Sequence, residues 1–144
     1  MKKVSMIIPC YNEEDNVELF YKEAVKTYKE QNYKLELVFI DDGSKDNTLK
    51  KLKELTKEQD CEIKVLSFSR NFGKESAIYA GLNNVTGDYT VIIDADLQQP
   101  PELTIKMANI LDENKYDCVC YYQEERIENK LLAKIKNTFY KTMN

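Results

Sequence analysis

The sequence contains no histidine among its 144 residues. The absence of imidazole excludes histidine-based metal sites and catalysis by Ser/His/Asp or Cys/His arrangements. None of the four cysteines, Cys10, Cys61, Cys118 and Cys120, belongs to a Cys-x-x-Cys pair. Cys118 and Cys120 stand two residues apart in an apolar run, so we interpret them as core side chains on one face of a strand. All four cysteines are expected to be reduced, buried thiols.

Several functional classes lack their usual sequence signals here. The chain shows no secretory signal and no apolar run long enough to cross a membrane, so we expect a cytosolic chain. The net charge of −4 argues against broad nucleic-acid binding, because phosphate contacts need a basic face. Neither a G-x-x-x-x-G-K-S/T nor a G-x-G-x-x-G motif is present, which disfavours P-loop NTPases and dinucleotide dehydrogenases.

What the sequence does contain is an alternation of short apolar runs and amphipathic segments. We predict strands at 4–9, 35–40, 63–68, 89–94 and 116–122. We predict helices at 12–29, 46–59, 74–83 and 100–114, the first with Asn12 as its N-cap. The alternation predicts an α/β fold with a mostly parallel sheet and helices on both faces.

Polar clusters follow four of the predicted strands. They read YNE at 11–13, DDGS at 41–44, SRNFGK at 69–74 and DAD at 94–96. Ligands of parallel sheets bind beyond the carboxyl ends of the strands, so we expect the four clusters to form one site.

The DAD cluster suggests a metal site. Asp94 and Asp96 leave a strand end with one residue between them, and Gln98 offers a further carbonyl oxygen. Mg²⁺ and Mn²⁺ prefer such oxygen ligands and keep positions for substrate phosphates. The alternative is that the acids cap the helix that opens at Pro100 and Pro101.

The other clusters suggest a nucleotide. Asp41 and Asp42 are acceptors for ribose or base donors, although they also suit a simple turn. Arg70 and Lys74, next to a helix start, suit a diphosphate, although a solvated basic loop is the alternative. Together the clusters predict a site for a nucleoside diphosphate-sugar and a metal.

Four segments in order resemble the family 2 glycosyltransferases, which have the GT-A fold. They are IPCYNEE at 8–14, DDGSKDNT at 41–48, SRNFGKE at 69–75 and DADLQQPPE at 94–102. The last two look like the polyprenyl-phosphate branch, which includes dolichyl-phosphate mannose synthases and bacterial undecaprenyl-phosphate glycosyltransferases. The resemblance covers nearly the whole chain and implies a GT-A, Rossmann-like domain over residues 1–125.

The resemblance also implies roles for individual residues. The implied metal ligands for Mg²⁺ or Mn²⁺ are Asp94, Asp96 and Gln98. Where this sequence has Gln99, the branch usually has Asp, so one negative charge beside the metal is missing here. The implied nucleotide-sugar-binding residues are Pro9, Tyr11, Asn12, Glu13, Asp41, Asp42, Arg70, Lys74, Asp94, Ala95 and Asp96.

The implied reaction is inverting transfer of a sugar from a UDP- or GDP-sugar to a polyprenyl phosphate at the cytoplasmic membrane face. A lipid phosphate is already anionic, so it needs no general base. Asp94, Asp96 and Arg126 are the implied catalytic residues. One alternative is a hydroxyl acceptor, with Glu124 or Glu125 as base, and another is a non-catalytic nucleotide-sugar-binding module.

Residues 126–144 are predicted to form an amphipathic helix. Its apolar residues recur every fourth position and lysines are interspersed among them: Ile127, Leu131, Ile135, Phe139 and Met143, with Lys130, Lys134, Lys136 and Lys141. We expect it either to pack on the domain's own core or to lie on an anionic membrane and hold the lipid-phosphate acceptor. The chain is expected to be a soluble fragment of a longer membrane-associated protein.

Overall fold

Four strands and four helices alternate along residues 1–121, the part of the chain that the computed structural model describes. The strands are β1 (Lys2–Cys10), β2 (Tyr33–Asp41), β3 (Glu62–Ser67) and β4 (Tyr89–Ile92). The helices are α1 (Val17–Tyr28), α2 (Thr48–Leu55), α3 (Lys74–Leu82) and α4 (Glu102–Asp112). All strand pairs are parallel, in the order β3-β2-β1-β4.

The sheet is covered on both faces, as predicted. On one face, Phe20 of α1 packs edge-to-face on Phe39 of β2, within a core that α2 and α4 complete. On the other face, Ala77 of α3 packs with Ile7 and Val38. Side chains of a strand alternate between faces, so the apolar runs of β1 and β2 supply both cores.

Gly81 allows α3 to approach the sheet closely. A Cβ atom at this position would lie 2.5 Å from Cγ2 of Ile7, which is shorter than real Cβ contacts. The close approach fixes α3, and therefore its N-terminal end, against β1.

A buried carboxylate fastens the loop that precedes β4. Glu36 of β2 is fully buried and accepts hydrogen bonds from Lys64 Nζ at 2.7 Å and from the backbone N–H of Thr86 at 2.9 Å. The hydroxyl groups of Ser5 and Thr86 also donate to it. Burial alone would raise the pKa of Glu36, but these hydrogen bonds outweigh it and lower the pKa to about 2. Glu36 therefore joins three strands to the α3–β4 loop as a carboxylate.

Helix α1 begins later than predicted. Asn12 has a φ of 57°, so it is not the N-cap, and α1 starts at Val17 after Asn16. The backbone N–H groups of Asn16 and Val17 both donate to the carbonyl of Glu13, so the segment before Val17 forms a separate turn and not the first turn of α1. Helix α2 is also shorter than predicted.

The predicted fifth strand is wrong for residues 116–121. These residues are largely exposed, and β4 pairs with β1 as its one neighbour in the described part of the chain. A run of apolar residues forms a strand only where a partner edge receives it. Cys118 and Cys120 are consequently exposed rather than buried, whereas Cys10 is buried and Cys61 half-buried.

In residues 1–121, no helix combines the length and the apolar character that a membrane crossing requires. The predictions for Glu124, Glu125, Arg126 and the helix at 126–144 fall outside the described residues.

Candidate functional site

The loops that follow the four strands meet at one edge of the sheet and form a cleft of about 340 Å³, which we call the site cleft. Seven of the predicted site residues line it, from all four loops. The lining residues are Pro9, Cys10, Tyr11, Glu13, Asp42, Asn71, Gly73, Lys74, Ala77, Asp94 and Asp96. The site cleft lies beyond the carboxyl ends of the parallel strands, where ligands of such sheets bind. It brings together residues up to 87 positions apart in the sequence, Pro9 to Asp96.

Asp42 holds the start of α3. Its carboxylate is nearly fully buried and accepts the backbone N–H of Phe72 at 2.7 Å and that of Gly73 at 2.9 Å. Helix α3 has no side-chain N-cap, and its first intrahelical hydrogen bond runs from Ala77 to Gly73. The N–H groups of the first turn after Gly73 therefore remain available for an anion at the site cleft.

Gly43 allows the loop between β3 and α3 to come close to the end of β2. Its φ is 68°, and a Cβ atom would lie 2.3 Å from the carbonyl carbon of Arg70. The position needs glycine both for its backbone conformation and for space.

Asp41 lies beside the site cleft rather than in its wall. It is buried, and its carboxylate accepts the backbone N–H of Ser44 and the hydroxyl of Ser67, both at 3.2 Å. In the structure Asp41 thus stabilises the DDGS turn and links it to β3.

The two acids of the DAD cluster have different neighbours. Oδ1 of Asp94 lies 2.6 Å from Nζ of Lys74, which reaches across from the start of α3. Asp96 is exposed, and its Oδ1 accepts the backbone N–H of Gln98 at 3.0 Å. Leu97, between Asp96 and Gln98, has a φ of 58°, which is an uncommon conformation for a bulky residue. The chain turns at this point.

The donor set at this corner fits a hard cation. Asp94 and Asp96 offer carboxylate oxygens, and both line the site cleft. Within residues 1–121, no group of three or more acidic, cysteine or histidine side chains is placed to hold a metal ion. A metal here would therefore need oxygens from the ligand as well, which is the usual arrangement for Mg²⁺ with phosphates. The Gln98 side chain is exposed and does not line the site cleft.

The β1–α1 loop is braced against the β2–α2 loop. The backbone N–H of Asn12 donates to Ser44 Oγ at 3.0 Å, and Oδ1 of Asn12 accepts the N–H of Lys45 at 2.9 Å. The N–H of Glu13 donates to Thr48 Oγ1 at 2.8 Å. Asn12 is therefore occupied in holding two loops together and does not line the site cleft, whereas Tyr11 and Glu13 do.

Arg70 and Ala95 are also outside the lining. The guanidinium of Arg70 lies 4.5 Å from the ring centroid of Phe72, an arrangement typical of a cation–π contact. Ala95 is buried in the core. Of the two cations assigned to a diphosphate, Lys74 alone lines the site cleft among the described residues.

Cys10, Asn71, Gly73 and Ala77 line the site cleft although we did not assign them roles. Cys10, Asn71 and Gly73 adjoin residues with predicted roles, whereas Ala77 lies three residues after Lys74 in α3 and carries no such sequence signal. Burial raises the pKa of Cys10, as do the charges of Glu13, Asp41 and Asp94. Cys10 is thus a protonated wall residue and not a nucleophile.

A larger cleft of about 530 Å³ lies at the opposite end of the sheet. Its walls include Lys3, Lys34 and Glu62, at the amino ends of three strands. Ligands of parallel sheets bind at the carboxyl ends, so we assign function to the smaller site cleft.

Residues 5–142 match the profile of the family described as Glycosyl transferase family 2. The undecaprenyl-phosphate 4-deoxy-4-formamido-L-arabinose transferase of Proteus mirabilis is 39% identical over 119 residues, which cover 83% of this chain and 36% of that protein. The bactoprenol glucosyl transferase of Shigella phage SfX is 37% identical over 143 residues, 99% of this chain and 46% of that protein. The chain therefore spans less than half the length of these relatives.

Among solved structures, the mannosyltransferase PcManGT from Pyrobaculum calidifontis, in complex with GDP-Man and Mn²⁺, superimposes with a TM-score of 0.66 at 27% identity. The superposition covers 85% of this chain and 36% of that one. The parallel sheet flanked by helices is accordingly a GT-A fold. Because the family profile matches nearly the full sequence, the chain belongs to glycosyl transferase family 2.

Proposed function

We propose that the chain is the donor-binding part of a transferase that moves a sugar from a nucleoside diphosphate-sugar to a polyprenyl phosphate. The observation that supports this most is the meeting of opposite charges in the site cleft. Asp94 and Asp96 supply oxygens for a divalent metal, while Lys74 and the uncapped start of α3 supply positive charge for a diphosphate. A metal-bound nucleoside diphosphate requires both oxygen ligands for its metal and positive charge near its phosphates.

In the proposed reaction the nucleoside diphosphate is the leaving group. A bound Mg²⁺ or Mn²⁺ would supply positive charge to the oxygens of that group. Asp94 and Asp96 would hold the cation, and Lys74 would donate hydrogen bonds to the diphosphate. Asp42 holds the start of α3 in place through the hydrogen bonds that it accepts from Phe72 and Gly73. Pro9, Tyr11 and Glu13 would contact the nucleoside.

The acceptor class rests on the relatives. Two of them carry undecaprenyl phosphate or bactoprenol in their names, and they match most of this chain. A lipid phosphate is ionised at neutral pH and can attack the anomeric carbon directly, so the reaction would invert that carbon and need no general base.

We also propose that the protein works at the cytoplasmic membrane face. Residues 126–144 would form the amphipathic contact with the membrane, and Arg126 would face the acceptor phosphate. Liposome binding with and without residues 127–144 tests this, and equal binding would contradict it.

The experiment for the function uses the full-length protein in membranes. Labelled UDP- and GDP-sugars are offered with undecaprenyl phosphate, the unphosphorylated polyprenol or a free oligosaccharide. We expect metal-dependent labelling of the lipid phosphate alone, and loss of labelling in Asp96→Asn. Labelling of the oligosaccharide or of the polyprenol would overturn the proposed acceptor, and labelling of none would overturn the transfer.

A further inference from the structure

Lys74 and Asp94 form an ion pair inside the site cleft. The distance from Nζ to Oδ1 is 2.6 Å, and the two side chains are 54% and 43% exposed. Lys74 is the first residue of α3, whereas Asp94 follows β4, so the pair joins the start of a helix to a loop 20 residues later. It is a tertiary contact at the place where the metal and the diphosphate would meet.

The ammonium group of Lys74 and a divalent cation compete for the same carboxylate. A metal bound to Asp94 would lie within a few ångströms of Nζ if the pair persisted, and like charges at that range repel. Each of the two cations therefore disfavours binding of the other at Asp94. Metal binding weakens the ion pair, and the stability of that pair in turn lowers the affinity for the metal.

A diphosphate offers Lys74 an alternative partner. Lys74 stands at the uncapped N-terminus of α3, where an anion would bind. Its flexible stem allows the ammonium to move from Asp94 to a phosphate oxygen without a change in the backbone. Arg70 does not offer this exchange, because it stacks on Phe72 outside the lining.

We propose that Lys74 is a resident counter-ion of Asp94 that disfavours binding of the metal alone, and that the donor diphosphate draws Lys74 away. The second part rests on the proposed function. Metal and nucleotide then bind cooperatively, because each favours the state in which the ion pair is broken. The site would thus take up its metal together with the donor rather than before it.

The size of the effect follows from the exposure of the pair. Half-exposed ion pairs contribute modestly, so we expect its loss to change metal affinity by about two- to fivefold. Coupling is reciprocal, and removal of the Lys74 ammonium should therefore weaken the dependence of nucleotide binding on metal by a similar factor.

The test measures Mn²⁺ binding by electron paramagnetic resonance of the free ion, first without nucleotide. Lys74→Met should bind Mn²⁺ about two- to fivefold more tightly than the wild type. Lys74→Arg keeps a cation at the site and should bind Mn²⁺ less tightly than Lys74→Met does. Lys106→Met removes the same charge from an exposed position on α4 and should have no effect. Equal or weaker Mn²⁺ binding by a folded Lys74→Met protein would overturn the counter-ion role.

A second titration adds UDP or GDP at saturation. The wild type should bind Mn²⁺ more tightly with one nucleotide, and Lys74→Met should show a smaller gain. A gain of equal size in both proteins would overturn the coupling. A wild type whose Mn²⁺ affinity neither nucleotide changes would contradict the proposed function, whereas the titrations without nucleotide test the counter-ion role alone.

Discussion

The carboxylate of Asp42 lies 2.9 Å from the backbone nitrogen of Gly73, so the end of β2 fixes the start of α3. Its other oxygen accepts the N–H of Phe72. Each oxygen keeps one lone pair for a ligand. Asp42 is thus placed both to contact a nucleoside and to hold the turn that would receive a diphosphate, and one substitution affects both.

We expect Asp42→Asn to lower the free energy of unfolding by about 1–3 kcal/mol, because Asp42 is buried and one of its two hydrogen bonds to backbone N–H groups is lost. Nucleotide binding should weaken as well, since the start of α3 is held by one hydrogen bond to residue 42 instead of two. Urea unfolding and nucleotide titration check this. Asp15→Asn removes the same charge at an exposed position and should leave both unchanged. Unaltered stability in Asp42→Asn would contradict the account.

Gly43→Ala should be destabilising for two physical reasons. Its positive φ costs alanine about 1–2 kcal/mol, and the added Cβ atom would also meet the backbone of Arg70. We therefore expect a loss of stability above that range, together with weaker nucleotide binding as the loop is displaced. Lys45→Ala, on the exposed side of the same turn, should change stability by less than about 0.5 kcal/mol. A loss no larger in Gly43→Ala than in Lys45→Ala would exclude the close approach.

Because of Glu36, the free energy of unfolding should depend on pH in the acidic range. Its pKa is about 2 in the folded protein and returns toward the ordinary value of 4.5 on unfolding. A lowered pKa means that the stabilisation is complete above pH 4.5 and is lost as the pH falls toward 2. We expect Glu36→Gln to be less stable at pH 7 by about 3 kcal/mol and to lose less stability than the wild type in that pH window.

The control for Glu36 is Glu62, which also pairs with Lys64. Glu62 contacts Lys64 at 3.5 Å, but its side chain is 45% exposed. Glu62→Gln should cost at most about 1 kcal/mol. Denaturant unfolding between pH 2.5 and 7 compares the two variants with the wild type. Equal effects of the two substitutions would show that burial of Glu36 is not what matters.

Gln99 is the position at which the sequence departs from the pattern that it otherwise resembles, and its side chain is exposed and outside the site cleft. We expect Gln99→Asp to raise Mn²⁺ affinity by less than about threefold, because solvent and salt screen an exposed charge. Metal titration at two salt concentrations measures it. A tenfold gain would mean that residue 99 faces the metal directly.

The spacing of apolar residues along the chain predicts the architecture, because the formation of amphipathic helices and buried strands depends on that spacing. The apolar runs of β1 and β2 and the helical face of Val17, Phe20 and Ala24 are buried as their spacing indicates. The predicted N-cap at Asn12 is wrong because asparagine suits both an N-cap and a left-handed turn. Residues 116–121 were misassigned because strand formation depends on a partner edge, which their own sequence does not show.

The composition of the site cleft was predictable, but its contacts were not. Strand ends identify which loops converge, and this brought Asp42, Lys74, Asp94 and Asp96 together. The hydrogen bonds of Asp42 to a loop 30 residues later, and the pair of Lys74 and Asp94, depend on how α3 sits on the sheet. The close approach at Gly81 sets that position, and no short sequence pattern reports it.

The measurement that tests the central claim most directly is calorimetric titration of the protein with UDP and with GDP, each with and without Mn²⁺. The account predicts saturable binding of one nucleotide that depends on Mn²⁺ and is lost or strongly weakened in Asp96→Asn. Binding of neither nucleotide to the folded protein, or equal binding by the wild type and Asp96→Asn, would contradict the assignment of the site cleft to a metal-bound nucleoside diphosphate.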